Sequence, residues 1–558
     1  MKNEFSFSKR KYGLFVHFVH GISCNADGSQ PSTIDETVNS FDANAFADLV
    51  SSMGVEYLIF TAWHWRAIPL YPSKVTEKYR GKICPSRDLL GEIIDAVTSR
   101  GVDMILYTHP RDGHDFSPED MLSCGWGKNE NESSSTPDKA LFDNKKWNEY
   151  TLALYTELLE RYGNKLSGIY TDGTGPYSKK SDRYENTLQV IDYTKLRNII
   201  KSTSPDVYMI QNHFGYLFSD DFEMPEGYFH FETDNIRDTS VIPAARKALA
   251  LCSVEGNWWP LERTPRGADV RRTSTAELAR FAIFNASCTA GGGVCFASGP
   301  YCCGSLFPVG VTEQMNELGK IIRARRESVL DALPSKSYPT VSGDTLQSLG
   351  FKCFTESEDG KYEYLHILKP QNKIVISTAL DSAVLTNPTS LSEKLCVESF
   401  ENGVLSLSGN FDEIDSVIRF DRSSPTTSFE YEWINDSDKR LRYGGDWKYV
   451  DLKQEPSTHT LLGSYESDCH VSAAKGSTLF TYFEGSIAEI YGNKRTDNGK
   501  ALVYIDGVFS GELDEHSESL ENRSLLFSSI NLFGGIHTLY IVTNDDKPFE
   551  IDAVKIIK

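Results

Sequence analysis

DANAFADLVSSMGVEYLIFTAWHWR, residues 42–66, decides the fold. Its first half carries apolar side chains at Phe46, Leu49, Val50 and Met53, the i, i+3, i+4, i+7 spacing of a helix with one buried face. Its second half holds EYLIFTA (56–62), a short continuous apolar run of the kind that forms a buried strand. The pattern repeats at once: RDLLGEIIDAVTSRG (87–101) has helical spacing, and VDMILYT (102–108) is the next strand. Further strands read at GLFVHF (13–18), LSGIYTDG (166–173), VYMIQNH (207–213), YFHFET (228–233) and GGVCFASG (292–299). An eighth lies near ALALCSV (248–254). Alternation of this kind implies parallel strands covered by helices. The prediction is an α/β domain over residues 1–333, a (β/α)8 TIM-like barrel. No GxGxxG or P-loop follows the first strand, which argues against an open doubly wound sheet.

Beyond residue 335 the periodicity changes. YLHILK, KIVIST, VLSLSG and SVIRFD are short, alternating and separated by Asn, Gly, Asp and Ser, as in an antiparallel sandwich. DRSSPTTS (421–428) has the composition of a linker. TLFTYFEG, IAEIYG, ALVYIDG and HTLYIVTN follow it. The expectation is two all-β sandwich domains after the barrel, at 334–422 and 430–558.

The chain of 558 residues is acidic, with 57 Lys+Arg against 78 Asp+Glu and a formal charge of −21. It lacks the concentrated basic surface that a nucleic acid or an anionic membrane selects. No apolar run is long enough to cross a bilayer, and no signal-peptide pattern opens the sequence. These features predict a cytoplasmic protein, or a secreted one if a leader precedes it. Eleven Cys, an odd number without CxxC pairs, read as free thiols. Oligomeric state is open, a homo-oligomer included. Aromatics reach 12% of the chain, which suits either a rich core or faces on which sugar rings stack.

In a parallel barrel the C-terminal ends of the strands converge on one mouth, where chemistry sits. Here those ends hold His17 and His20, then Trp63-His64-Trp65-Arg66, then Tyr107, His109, Arg111 and His114. Tyr170 and Asp172 follow, then Gln211-Asn212-His213, then His230 and Glu232. A lone His or Asp would be structural; so many strand ends of one type are not. A metal centre is one alternative, yet no two His stand at HxH or HExxH spacing. Imidazoles, carboxylates and indoles together describe a sugar pocket: the polar groups bond hydroxyls, and the rings cover C–H faces. Trp63, Trp65, Tyr107, Tyr170, Trp258 and Trp259 are the candidate stacking rings. Glycoside cleavage needs two carboxyl groups flanking the bond, and Asp172 fits one. Its alternative role is to cap the turn that follows.

These residues resemble the α-L-fucosidases of glycoside hydrolase family 29. KYGLFVHF (11–18) looks like that family's opening strand, and FTAWHWRAIPLYPSKVT (60–76) is similar to its T-x-K-H-H-D-G-F segment. SRDLLGEIIDAVTSRGVDMILY (86–107) resembles the family's next helix and strand. ERYGNKLSGIYTDG (160–173) is similar to the stretch that carries the nucleophile. FNASCTAGGGVCFASGP (284–300) and LGKIIRARRESVLDA (318–332) look like the last strand and closing helix. The resemblance implies Asp172 as nucleophile, with His17 and His64 on sugar hydroxyls and Tyr170 in place of a pocket Trp. It implies retention through a covalent glycosyl-enzyme intermediate on Asp172, with no metal or cofactor. The final segment looks like a galactose-binding-like carbohydrate module.

The departures bear on substrate. Trp65 stands where the family has the second His of a pair, and Arg66 where it has Asp. An indole there removes a polar contact and adds bulk, so a related or substituted α-L-sugar joins terminal α-L-fucose as expected substrate. The acid/base candidates are Glu232 first, Glu255 second and Glu223 third. A buried Glu among aromatics would stay protonated as an acid. Tyr107, His109 and Trp258 complete the expected substrate-binding set. The alternative function is a catalytically impaired glycan-binding protein on a fucosidase scaffold.

Overall fold

The structure is a computed structural model. It describes residues 9–127, 143–172, 189, 191–212, 222–223, 250–253, 258–260, 267–271, 273–288, 293–303, 306–340, 344–376, 385–401, 403–422, 431–451, 465, 468–518, 521–529, 532 and 536–558. Of 222–223, 250–253 and 521–523 only the backbone is described. The chain divides into two compact units, residues 1–237, 245–286 and 290–330 in the first, and 238–244, 287–289 and 331–558 in the second.

The first unit is built on β1 (Tyr12–Val16), β2 (Tyr57–Trp63), β3 (Asp103–Thr108), β4 (Gly168–Thr171), β5 (Tyr208–Gln211), β6 (Phe222–Glu223), β7 (Ala250–Ser253) and β8 (Val294–Ala297). They form one sheet in the order β6-β5-β4-β3-β2-β1-β8-β7, and every pairing is parallel. That order is the sequence order of a (β/α)8 barrel, with no ladder between β6 and β7 among the described residues. Helices Ala43–Ser52 and Leu89–Thr98 precede β2 and β3, as their apolar spacing predicts. Each begins at an aspartate, Asp42 or Asp88, whose carboxylate accepts free backbone N–H groups of the first turn. Leu89, Leu90, Ile93, Ile94 and Val97 form the buried face of the second. The sequence placed the sixth strand at 228–233. Residues 228–233 lie outside the described residues; among those described, the two-residue strand Phe222–Glu223, too short to show a period, pairs parallel with β5.

The barrel interior is packed rather than hollow. Phe15, Tyr57, Ile59, Ile105, Tyr107, Tyr170, Ile210, Cys295 and Ala297 form one buried cluster. Gly13 makes room for it: a Cβ there would lie 2.1 Å from the Tyr57 ring. Gly293 leads into β8 at φ +124° and lies against Lys11, where a Cβ would come within 2.2 Å of the Lys11 carbonyl oxygen. Only glycine meets both demands.

Among the described residues, every strand ladder of the second unit is antiparallel. A five-stranded sheet (332–334, 352–357, 362–367, 385–390 and 416–422) and a three-stranded sheet share a core that includes Phe354, Leu365, Leu405, Ile418 and Phe420. Further along, a four-stranded sheet contains Ile487–Lys494 and Ala553–Ile557. A five-stranded sheet runs in the order Arg442–Gly444, Thr478–Glu484, Ile536–Thr543, Lys500–Ile505, Val508–Asp514. Leu479, Phe483, Val503, Ile541, Ile490 and Val554 pack between these last two. Asp421 and Arg422, expected in a linker, end strand Ser416–Arg422. The ten cysteines whose side chains are described are free thiols. No helix among them is long and apolar enough to cross a membrane.

Candidate active site

Alternation along the strands builds the site. Residues that share an inward face are Phe15 on β1, Ile59 on β2, Ile105 and Tyr107 on β3, Tyr170 on β4 and Ile210 on β5. One inward step past each strand end stands a polar group: His17, His109, Asp172 and Asn212. On β2 the register slips between Thr61 and Trp63, so Trp63 pairs with Thr108 and the alternation shifts by one. The bulge therefore sends Trp63 outward, buried against Tyr155 of helix Asn144–Tyr162, and brings His64 in. Trp63 is removed from the candidate stacking rings for that reason.

Asp172 is 9% exposed, and both its carboxylate oxygens are held. Tyr107 donates its hydroxyl hydrogen to Oδ2 at 2.5 Å, and Asn212 donates from Nδ2 to Oδ1 at 2.8 Å. The Asp172 backbone N–H bonds the Thr108 carbonyl at 2.9 Å, fixing where the side chain starts. Burial, then the Asp172 and Asp112 carboxylates, hold the Tyr107 phenol well above its ordinary range. The phenol therefore stays a donor.

Beside Asp172 the imidazoles of His17, His64 and His109 lie in a row. Ring centroids are 4.8 Å apart for His17–His64 and 5.4 Å for His64–His109, with planes nearly parallel. Tyr107 meets His17 edge-on at 4.6 Å. The hydrogen bonds choose the tautomers. Thr61 donates its hydroxyl to the Val16 carbonyl, so it accepts from His17 Nδ1–H at 3.0 Å. His64 Nδ1 lies 3.0 Å from Asp112 Oδ2, a carboxylate that can only accept. In the neutral rings both Nε2 atoms are left as acceptors. Burial, then the neighbouring imidazoles of His64 and His109, push His17 well below its ordinary value. Burial likewise lowers His109. His20 bonds Thr37 at 2.7 Å, away from this row.

Asp112 organises the row from behind. It is almost fully buried and accepts from His64 Nδ1 and from the Trp65 backbone N–H on the same oxygen. Its Oδ1 lies 3.2 Å from His109 Nδ1 and 3.4 Å from His114 Nδ1. Burial alone would raise this carboxyl, yet the imidazoles of His109, His114 and His64 outweigh it and hold it far below the carboxylate range. To present its N–H to Asp112, Trp65 adopts φ 57°, a left-handed conformation that costs a non-glycine residue energy. Its indole, 48% exposed, stacks on the His114 ring at 4.4 Å. His64, His109 and Asp112 bring three potential ligand atoms within 4.8 Å of one another, the one such group among the described residues that could hold a metal ion. Two N–H groups already occupy Asp112 Oδ2, which suits a hydrogen-bonding hub better than a cation.

The structure thus gathers His17, His64, Tyr107, His109 and Asp172. Tyr170 is fully buried beneath them, stacked on Tyr107 at 5.4 Å. Trp258 and Trp259 approach His17 edge-on at 6.3 and 4.9 Å. Glu232 and Glu255 lie outside the described residues, as does the side chain of Glu223. Sequence reading passed over Asp112, although His109-x-x-Asp112-x-His114 in one loop was the available signal.

Residues 33–259 match the alpha-L-fucosidase family model. A Caenorhabditis elegans protein that bears the alpha-L-fucosidase name is 35% identical over 74 residues, 13% of this chain and 15% of that protein. A Flavonifractor plautii A type blood N-acetyl-alpha-D-galactosamine deacetylase is 29% identical over 103 residues, 17% of this chain and 13% of that protein. The chain thus spans only a small part of the relatives it matches. Among solved structures, the alpha-L-fucosidase of Vibrio sp. strain EJY3 superposes with TM-score 0.55 at 15% identity, covering 99% of this chain and 97% of that one. Alpha-L-fucosidase isoenzyme 1 of Paenibacillus thiaminolyticus gives 0.52 at 17%, covering 75% and 98%. The Bacteroides thetaiotaomicron GH29 enzyme gives 0.52 at 16%, covering 75% and 95%. At such identities the likeness carries the fold: a TIM-like barrel followed by β-sandwich sheets.

Proposed function

We propose, from the alpha-L-fucosidase family domain at residues 33–259, that this chain is a retaining exo-α-glycosidase acting on terminal α-L-fucose or a related or substituted α-L-sugar of oligosaccharides. The observation that carries the reading is Asp172 at the end of β4, gripped through both oxygens beside the His17–His64–His109 row. A carboxylate so held needs no reorganisation when it attacks. In the first step one Asp172 oxygen bonds the anomeric carbon as the glycosidic C–O bond breaks, and an acid gives its proton to the departing oxygen. In the second, water loses a proton to the same group and opens the ester, returning Asp172 to its carboxylate.

The acid/base is Glu232 in this reading, with Glu255 second. His17 and His64 accept hydrogen bonds from sugar hydroxyls through Nε2. Trp65, turned outward with its ring against His114, replaces a polar contact by an indole face at the rim. That favours a sugar whose substituent or ring face reaches it.

The test is turnover of aryl α-L-fucoside, α-L-galactoside and β-D-galactoside by the wild-type chain and by Asp172→Ala. The α-L-glycosides are turned over, and the variant loses at least ~10³-fold in kcat, roughly 4 kcal/mol of transition-state stabilisation. Equal rates for the two chains would remove Asp172 from the mechanism.

A further inference from the structure

His64 and Arg66 line one hollow at the barrel mouth, together with Phe18, Val19, His20 and Trp63. The turn between them sets this up. The Arg66 backbone N–H donates to the His64 carbonyl at 2.5 Å, closing three residues around Trp65 at φ 57°. Trp65 is thrown out to the rim, and Arg66 returns to the side of His64. The guanidinium then lies over Gly21 of the loop after β1. A Cβ at Gly21 would come within 2.4 Å of Arg66 Cζ, so a side chain there would contest the space.

Arg66 is half-buried, yet no hydrogen bond or ion pair engages its guanidinium among the described residues. Other arginines of this unit are held: Arg80 by Asp115, Arg87 by Glu92, Arg100 by Asp48 and Arg161 by Asp88. The carboxylates whose charge reaches neighbouring His20 are engaged as well. Asp115 bonds Arg80 and the Ala67 backbone N–H, and Glu36 bonds the backbone N–H groups of Ser32 and Thr33. Burial, then the charge on Arg66, push His20 below its ordinary value, so the guanidinium acts within the hollow without being neutralised.

A free guanidinium fork matches the paired oxygens of a sulfate or carboxylate, and it is weakly enough hydrated to exchange water for them. We propose that Arg66 binds an anionic substituent of the substrate, a sulfate ester or a carboxylate, while the sugar hydroxyls meet His64. The proposal rests on the α-L-glycosidase reading, which sets a sugar against His64 Nε2. Because Arg66 shares the hollow with His64, the anionic group belongs to that sugar or to the one attached to it. A formal charge of −21 opposes a long polyanion. One anionic group in contact with one guanidinium is far less affected, since the charge of the rest of the chain is screened within about 10 Å. The substrate class is therefore a short glycan with a single anionic group at its α-L-glycosidic end.

Hydrolysis of matched substrate pairs by the full chain tests it. One set compares an aryl α-L-fucoside with its 3-O- and 4-O-sulfates, and the other compares fucosyl-galactose with fucosyl-galacturonate. The readout is the ratio of kcat/KM on the anionic member to that on its neutral partner. Arg66→Ala lowers this ratio about 10- to 100-fold for at least one pair. Arg66→Lys, which keeps the charge but not the fork, retains part of it, and added salt erodes it. Response of a sulfated pair puts the group on the fucose; response of the galacturonate pair puts it on the neighbouring sugar. A ratio that Arg66→Ala leaves unchanged for every pair overturns the proposal.

Ligand-observed NMR of L-fucose and its 3- and 4-sulfates, on Asp172→Asn with and without Arg66→Ala, separates the anion site from the glycosidase reading. Arg66-dependent binding of a sulfated sugar by a chain that turns over no α-L-glycoside would keep the site and remove the glycosidase. Turnover of the neutral α-L-glycosides without any Arg66-dependent ratio would do the reverse.

Discussion

Tyr107 donates its hydroxyl hydrogen to Asp172 Oδ2 across 2.5 Å, from the strand next to the one that carries the carboxylate. A hydrogen bond to an ionised group contributes about 1.5–3 kcal/mol. Tyr107→Phe keeps the packing against His17 and Tyr170 and removes this bond alone. Steady-state kinetics should show kcat lower by about 10- to 100-fold, with KM little changed. Unchanged kcat would mean that the phenol only fills space.

Asp112 acts through the groups it holds. In Asp112→Ala the oxygen that accepts from both His64 Nδ1–H and the Trp65 backbone N–H is gone. His64 is then free to turn or to change tautomer, and its Nε2 is no longer a dependable acceptor. We expect kcat/KM to fall by about 10- to 100-fold, and the pH profile of kcat/KM to shift as His64 loses its partner. A variant that is less stable but has wild-type kinetics and the wild-type pH profile would reduce Asp112 to a structural role.

Stability should depend on pH through the buried imidazoles. His17 and His109 both have folded values below the ordinary one, chiefly because burial penalises the charged ring. Unfolded, each takes a proton near pH 6.5; folded, each resists it. Their contribution is complete above that pH and is lost as pH falls below it, by up to ~1.4 kcal/mol per pH unit per imidazole. Asp112, held low, loses its contribution only below about pH 3.9 and stays out of this window. Urea unfolding of the wild-type chain between pH 7.5 and 5 should give a falling stability, and His17→Gln or His109→Gln a shallower slope. A slope that neither substitution changes would contradict the assignment.

The same hydrogen bonds bear on metals. Both N–H donors on Asp112 Oδ2 would have to turn away before that oxygen could ligate a cation. Exhaustive chelation followed by assay on an aryl glycoside should leave activity unchanged. Loss on chelation with recovery on a divalent ion would move His64, His109 and Asp112 from hub to metal centre.

The barrel and the β domains were legible because helix and strand periods differ, and β2 and β3 follow well-marked amphipathic helices. The strand-end rule reached His17, His109 and Asp172 for the same reason: one side chain in two points inward. It misread Trp63, since a bulge reverses the alternation at one residue and leaves no mark in composition. It also passed over Asp112, whose part depends on three imidazoles converging in space. The two-residue β6 is held by its pairing with β5, a tertiary fact that no local pattern records.

The central claim is that Asp172 becomes covalently bonded to the sugar. It is tested most directly by intact-mass and peptide mass spectrometry after incubation with 2-fluoro-fucosyl fluoride, whose 2-fluorine slows hydrolysis of the ester. The account predicts one fluorosugar per chain, on the peptide containing Asp172, and none on Asp172→Asn. An unmodified wild-type chain that nonetheless turns over α-L-fucosides, or an adduct on another carboxylate, would contradict it.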